Sequence, residues 1–194
     1  PFYVMGQSVK FAAAPAGSSA RLPKCRSRKP LVGHARLGRG GNTDFLFALD
    51  ESAGTGKGYD RLYVDTNHNG SLKDETAVKL LRRRWEKSFG PFRLLVPVDG
   101  RKVLYHARMQ TYQGRPQQVY TLQALGYYTG TAPFGDRKYR VSLIDCNCNG
   151  LYGDPMKGYF DEGGMGDILL VDVNGNGEYD SDSMFPKEVC FTGK

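Results

Sequence analysis

The sequence contains little of what an enzyme or a membrane protein requires. No stretch approaches the roughly 18 consecutive apolar residues that indicate a membrane-spanning helix. Its three histidines, His34, His68 and His106, are scattered along the chain. Neither a Gly-x-Ser-x-Gly nor a His-Glu-x-x-His motif is present. These absences predict a non-enzymatic protein without a membrane span.

Acidic residues are missing from the first part of the chain and concentrated in the last part. Residues 1–43 contain eight lysines or arginines and no acid, whereas residues 145–194 contain ten acids and three lysines. The small, proline-bracketed and basic composition of residues 1–30 predicts an extended basic arm, followed by a β-domain over residues 31–194. A basic arm and an acidic tail can attract each other within one chain or between neighbouring chains. No nucleic-acid-binding signature accompanies the basic runs, so we expect no nucleic-acid partner.

Short apolar runs separated by Gly, Asp and Asn clusters predict an all-β domain, either an antiparallel β-sandwich or a barrel. In residues 103–109 apolar and polar side chains alternate with the period of two that is typical of a half-buried strand. The candidate strands are residues 44–49, 61–64, 77–82, 92–98, 103–111, 118–125, 138–144 and 167–171. Residues 75–87 are the only plausible helix, although their apolar stripe is poor.

One loop pattern, Asp-x-Asn-x-Asn-Gly, occurs three times, each time directly after a candidate strand. We call residues 65–75 loop 1, residues 145–154 loop 2 and residues 172–182 loop 3. Each loop has oxygen-bearing side chains at positions 1, 3 and 5, glycine at position 6, and carboxylates at positions 9 to 11. Position 8 is an aromatic residue or leucine, which we expect to turn back into the core.

This spacing suits a calcium ion, which takes six to eight oxygen ligands. Alternate residues of a tightly curled loop point inward, glycine permits the sharp turn, and the carbonyl of position 7 then faces the ion. Up to three Ca²⁺ ions are therefore expected. The expected ligands are Asp65, Asn67, Asn69, Ser71 and Asp74 or Glu75 in loop 1; Asp145, Asn147, Asn149, Leu151 and Asp154 in loop 2; and Asp172, Asn174, Asn176, Glu178 and Asp180 or Asp182 in loop 3.

The loops resemble the calcium loops of EF-hands, dockerins and thrombospondin type 3 repeats, and more closely those of secreted bacterial β-domains in which a strand runs directly into the loop. The resemblance implies a rigid extracellular domain. It departs from the EF-hand at position 12, where the closing acid is replaced by Thr76, Met156 and Ser183. The competing interpretation is that Asn-Gly simply makes hairpin turns.

Four cysteines, Cys25, Cys146, Cys148 and Cys190, allow three pairings. A bridge between Cys146 and Cys148 would close a strained ring, so we favour disulfides from Cys25 and from Cys190 to the central loop. Four reduced thiols are the first alternative. A zinc site is a weaker one, because no histidine lies nearby in the sequence.

The sequence as a whole predicts a secreted, calcium-stabilised structural protein that assembles head-to-tail with itself, into a polymer or fibril, through its N-terminal arm. The alternative is an adhesion module that binds a carbohydrate or another surface, with Tyr112, Tyr120, Tyr127 and Tyr128 as a stacking platform.

Overall fold

The computed structural model describes residues 6–15, 21–56, 58–82, 86–112, 119–155 and 166–179, together with the strand residues 181–182, 185–186 and 189–191. Within these residues every regular element is a β-strand, and no helix occurs. No helical segment that could cross a bilayer exists in this part of the chain.

The first eight strands form a closed antiparallel barrel in which each strand pairs with its neighbour in sequence. Pairing of β1 with β8 closes the barrel. The strands are β1 (Gln7–Ala13), β2 (Leu31–Arg36), β3 (Asp44–Asp50), β4 (Arg61–Val64), β5 (Val78–Arg82), β6 (Glu86–Val98), β7 (Arg101–Tyr112) and β8 (Val119–Ala124).

The remaining strands form a four-stranded sheet in the order β14-β11-β10-β9 and a two-stranded ribbon. The four-stranded sheet contains β9 (Tyr128–Phe134), β10 (Arg137–Ile144), β11 (Ile168–Val171) and β14 (Val189–Phe191). The ribbon pairs β12 (Ser181–Asp182) with β13 (Phe185–Pro186). The predicted all-β fold is therefore confirmed, and its larger unit is a barrel.

Strand β3 is buried on both faces, which explains its nearly continuous apolar sequence. Phe45, Phe47 and Leu49 belong to the barrel core, whereas the side chains between them face outward, where other parts of the chain cover them. This second cluster comprises Leu22, Leu46, Ala48, Tyr63 and Leu72. The segment before β2 and loop 1 thus shield one outer side of the barrel.

The predicted helix over residues 75–87 is wrong. Val78–Arg82 is strand β5, and β6 begins at Glu86. The poor apolar stripe of this segment reflects its place in the barrel wall: Leu80 packs against the barrel core while its neighbour Leu81 is exposed. Strand alternation, rather than a helical period, accounts for this pattern.

Residues 7–13, which lie inside the predicted arm, form a strand of the barrel. Gln7 to Lys10 pair with β8, and Phe11 to Ala13 pair with β2. Val9 and Phe11 are buried in the barrel core. Burial of these two side chains supplies apolar area that holds this short segment in the barrel as a strand.

Candidate metal-binding loops

Each candidate loop begins where a strand ends, so the sheets fix the position of its first aspartate. Loop 1 follows β4, loop 2 follows β10 and loop 3 follows β11. Asp65, Asp145 and Asp172, at position 1, are all buried. A buried carboxylate needs hydrogen-bond donors or a cation to offset its loss of hydration.

Backbone amides of the same loop supply donors to these carboxylates. Asp65 accepts the N–H groups of Asn69 and Gly70, each at 2.9 Å. In loop 2 the Oδ2 of Asp145 accepts the N–H of Gly150 at 2.8 Å. In loop 3 the Oδ2 of Asp172 accepts the corresponding N–H, from Gly177, at 2.9 Å.

The asparagines repeat a second pattern in all three loops. The Oδ1 of position 3 accepts the N–H of position 5, and the Oδ1 of position 5 accepts the N–H of position 7. The distances are 3.0 and 2.8 Å in loop 1, 3.0 and 2.8 Å in loop 2, and 2.9 and 2.8 Å in loop 3. These bonds curl the chain into one shape three times.

Backbone dihedral angles show the same repetition. Position 4 has a positive φ in every loop, at His68 (57°), Cys148 (56°) and Gly175 (73°). Position 6 does as well, at Gly70 (76°), Gly150 (77°) and Gly177 (85°). A simple two-residue hairpin would not require left-handed residues at both positions 4 and 6.

Carboxylates at position 10 face the asparagines in loops 1 and 2. The Oδ2 of Asp74 accepts the side-chain Nδ2 of Asn67 at 2.8 Å and of Asn69 at 2.9 Å. The Oδ2 of Asp154 likewise accepts the Nδ2 of Asn147, at 3.4 Å, and of Asn149. The bond from Asn67 is the main cause that holds the pKa of Asp74 below its usual value.

The other closing candidates lie elsewhere or outside the described residues. Glu75 accepts the backbone N–H and the hydroxyl of Thr66 at 2.6 and 2.9 Å, and the backbone N–H of Asn67 also donates to it. In loop 3, position 10 is Ser181, and the side chains of Asp180 and Asp182 lie outside the described residues. The buried Oδ1 of Asp172 has no hydrogen-bond partner among the described residues.

The donor set fits a hard cation such as calcium. An asparagine Oδ1 has two lone pairs, so it can accept the N–H two residues on and ligate a cation at the same time. The Oδ1 of Asp172, which lacks a hydrogen-bond partner among the described residues, is the kind of group that a bound cation satisfies. Among the described residues no three His, Cys, Asp or Glu side chains cluster as a metal site, so these loops depend on asparagine.

Side chains at position 8 anchor the loops to the protein, as the sequence predicts. Leu72 is fully buried in the second cluster. Tyr152 packs against the barrel core, and Tyr179 packs against a cluster of Ile144, Cys146 and Leu170. The hydroxyls of Tyr179 and Ser142 lie 2.7 Å apart, which links loop 3 to β10.

Loop 2 differs from the others because it enters one end of the barrel. Cys148 is fully buried in the barrel core. The hydroxyl of Tyr105, on β7, donates to the Oδ2 of Asp145 at 2.6 Å and contacts the Sγ of Cys148 at 3.3 Å. Burial is the main cause that raises the pKa of Asp145.

Sequence reasoning missed Asp167, which supports loop 2 from the start of β11. Its Oδ2 accepts the N–H groups of Gly153 and Asp154 at 2.6 and 2.9 Å. Burial raises its pKa to about 6. In the sequence, the one signal for this role is the position of Asp167 directly before the continuously apolar run 168–171.

The predicted disulfides are not seen among the described residues. Cys25, Cys146 and Cys148 are free thiols, and the side chain of Cys190 lies outside the described residues. Cys148 lies in the barrel core and Cys25 lies near Asp50, and no bridge joins Cys25 to either cysteine of loop 2. Burial raises the thiol pKa of Cys25 to about 11 and that of Cys146 to about 12.

A second pair of buried carboxylates outside the loops holds the segment that precedes β2. Asp50 accepts the backbone N–H groups of Arg26 and Ser27 at 3.1 and 2.8 Å. Glu51 accepts the hydroxyls of Ser27 and Thr55 at 3.2 and 2.8 Å. These bonds fix the segment before β2 and the loop after β3 to the barrel.

Comparison of the chain with protein-family models, with curated proteins and with solved structures found no match in any of the three.

Proposed function

We propose that this chain is a non-enzymatic structural domain, stabilised by calcium in loops 1, 2 and 3, that works outside the cell. The observation that carries the proposal is the threefold repetition of one curled backbone, with left-handed residues at positions 4 and 6 and an aspartate buried at position 1. Turn formation alone does not require a buried carboxylate at the same place each time.

Calcium is the cation that these loops suit best. Each loop offers carboxylate, amide and backbone carbonyl oxygens, and magnesium prefers a rigid octahedron with retained water. Asparagine at positions 3 and 5 lowers the ligand charge, which favours weak sites filled in calcium-rich extracellular fluid. A bound ion would join the end of a strand to residues up to ten positions later and thereby fasten the sheet beneath it.

Calorimetric titration with calcium tests this function. We expect the unmodified chain to bind up to three ions, and Asp65→Asn, Asp145→Asn and Asp172→Asn each to remove about one site. At free calcium about 100-fold above the dissociation constant, each site would stabilise the fold by about 2.7 kcal/mol. Magnesium at the same concentration is the matched control. Absence of both binding heat and a calcium-dependent rise in the melting temperature would refute the proposal.

Self-association is the second part of the proposal, with the chain itself as the partner. Support comes from the charge separation between residues 1–43 and residues 145–194. Since residues 7–13 already fill a place in the barrel, head-to-tail assembly would pass this strand from one copy to the barrel of the next. Repetition of that exchange in one direction generates a polymer or fibril.

The alternative is an adhesion module for a carbohydrate or another surface. One observation favours it: four of the large exposed apolar side chains, Leu125, Tyr127, Tyr128 and Phe134, lie between residues 125 and 134. Tyr120 is not part of such a platform, because it is buried in the barrel core, and the side chain of Tyr112 lies outside the described residues. Saturable glycan binding by a monomer, lost in Tyr127→Ala, would favour this alternative over the structural one.

A further inference from the structure

Strand β1 is held in the barrel by backbone pairs that are divided between its two neighbours. The residues that pair with β8, Gln7 to Lys10, are followed by those that pair with β2, Phe11 to Ala13. No residue of β1 is therefore paired on both sides in the ladder. A strand that pairs on only one side at each residue has fewer ladder hydrogen bonds to break than one that pairs on both sides. Strand β5 is divided in the same way between β4 and β6, so the feature particular to β1 is its contact with loop 2.

Loop 2 supplies a further set of bonds at the beginning of this strand. The N–H of Gly6 donates to the carbonyl of Cys146 at 2.9 Å, and the Nε2 of Gln7 reaches the carbonyl of Cys148 at 3.4 Å. Both carbonyls belong to positions 2 and 4 of the loop, which are not ion ligands. They can hold β1 and leave the inner oxygens of loop 2 to a cation.

Gln7 joins this contact to the neighbouring strand. Its Nε2 donates to the carbonyl of Arg36 at 2.9 Å, and its Oε1 accepts the N–H of the same residue at 2.9 Å. Arg36 is the last residue of β2. One glutamine side chain thus connects β1, the end of β2 and loop 2.

The curl of loop 2 determines where those two carbonyls point. Cys148 has a left-handed backbone, with φ of 56°, and the loop packs closely on the barrel, since the carbonyl of Asn149 accepts the N–H of Gly38 at 2.6 Å. Ligand oxygens and latch carbonyls alternate along the same curled segment. Any relaxation of the curl would move both sets together.

We propose that loop 2 is an ion-dependent latch on strand β1, and that loss of its ion frees β1 for exchange with a second copy of this chain. This inference rests on the proposed calcium function. It names loop 2, and neither of the other loops, as the site that regulates assembly. In loop 1, the N–H of Leu72 donates to the carbonyl of Arg21, and the carbonyl of Thr66 accepts the N–H of Leu95. Neither bond involves β1, so loop 1 provides a matched control.

Hydrogen exchange of the β1 amides, measured by mass spectrometry with calcium and with a chelator, tests the latch. We expect exchange over residues 7–13 to become about tenfold faster in the chelator, because the opening free energy of β1 falls when loop 2 relaxes. Asp145→Asn should give fast exchange in both conditions. Asp65→Asn should retain the calcium dependence of β1. Gln7→Ala should exchange fast even in calcium, while its calorimetric titration still shows loop 2 filled.

The outcomes separate the latch from the function on which it rests. Calcium binding with unchanged β1 exchange in the chelator would overturn the latch and leave the proposed function standing. Loss of the calcium effect in Asp65→Asn to the same degree as in Asp145→Asn would also overturn it, because control would not belong to loop 2. Absence of calcium binding by the unmodified chain would overturn both.

Discussion

Gly70 and Gly150 occupy position 6 of loops 1 and 2 with nearly the same φ, 76° and 77°, yet their surroundings differ. A methyl group on Gly70 would meet nothing within 4 Å, whereas one on Gly150 would lie 2.8 Å from the Cγ1 of Val96. The backbone requires glycine at both residues, but only loop 2 also requires it for packing. Loops 1 and 2 therefore differ in how well they tolerate a larger residue at position 6.

Replacing each glycine with alanine separates these two requirements. Gly70→Ala should cost about 1 to 2 kcal/mol, the penalty of a left-handed non-glycine residue. Gly150→Ala should cost a further 1 to 3 kcal/mol, approximately, because the barrel end must move to admit the methyl group. Chemical denaturation in the chelator measures both free energies of unfolding without the contribution of calcium. Equal losses would contradict the close packing of loop 2 on the barrel.

At the level of elements, β1 depends on two buried side chains for its place in the barrel. Phe11 contacts Tyr120 edge to face, with ring centroids 5.5 Å apart. Gly33 on β2 lies against the ring of Phe11, and a methyl group on Gly33 would be 3.0 Å from two carbons of that ring. This close fit makes Phe11 the larger of the two apolar anchors of β1, the other being Val9.

Truncation of this anchor should weaken the barrel strongly. Phe11→Ala, at a side chain only 3% exposed, should lower the free energy of unfolding by about 3 to 5 kcal/mol. The matched control is Phe134→Ala on β9, where the side chain is 45% exposed and the expected change is within about 0.5 kcal/mol. Thermal or urea denaturation measures both. A Phe11→Ala loss as small as that of the control would mean that β1 contributes little to the closed barrel.

In the whole molecule, the barrel and the four-stranded sheet meet through loop 2. This loop leaves β10 of the sheet, places Cys148 in the barrel core and receives a hydrogen bond from Tyr105 of the barrel. Asp167, at the start of β11, supports the loop from the sheet side. Ion binding at loop 2 would therefore act on both parts of the protein.

Native mass spectrometry and electron microscopy, with calcium and with a chelator, examine assembly of the whole chain. If β1 passes between copies, oligomers should form when the latch opens, and mixed natural and isotope-labelled chains should exchange into shared particles. A synthetic peptide of residues 6–15, added in excess, should occupy the vacated places and shorten the oligomers. A single monomeric mass in both conditions, unchanged by the peptide, would remove self-assembly from the proposed function.

Much of the β structure follows from local sequence pattern. Strand β4 begins and ends at the predicted residues, and the buried strand before loop 3 lies within one residue of its prediction. Strands β1, β2 and β9 were missed because their sequences contain few apolar residues or several glycines and alanines. The wrong helix over residues 75–87 arose because a segment with weak periodicity takes its conformation from its neighbours in the barrel, which no local pattern specifies.

The sequence by itself determined the three curled loops, because aspartate, asparagine and glycine at fixed spacing set hydrogen bonds and left-handed residues within a few positions of one another. Only the structure decided that Asp74 rather than Glu75 accepts the asparagine side chains of loop 1, that Asp167 supports loop 2, and that the N-terminal segment closes the barrel. Those contacts join residues far apart in the chain or depend on which way a side chain turns. For Asp167 and the N-terminal segment, burial against the rest of the molecule, and not local preference, selects these contacts.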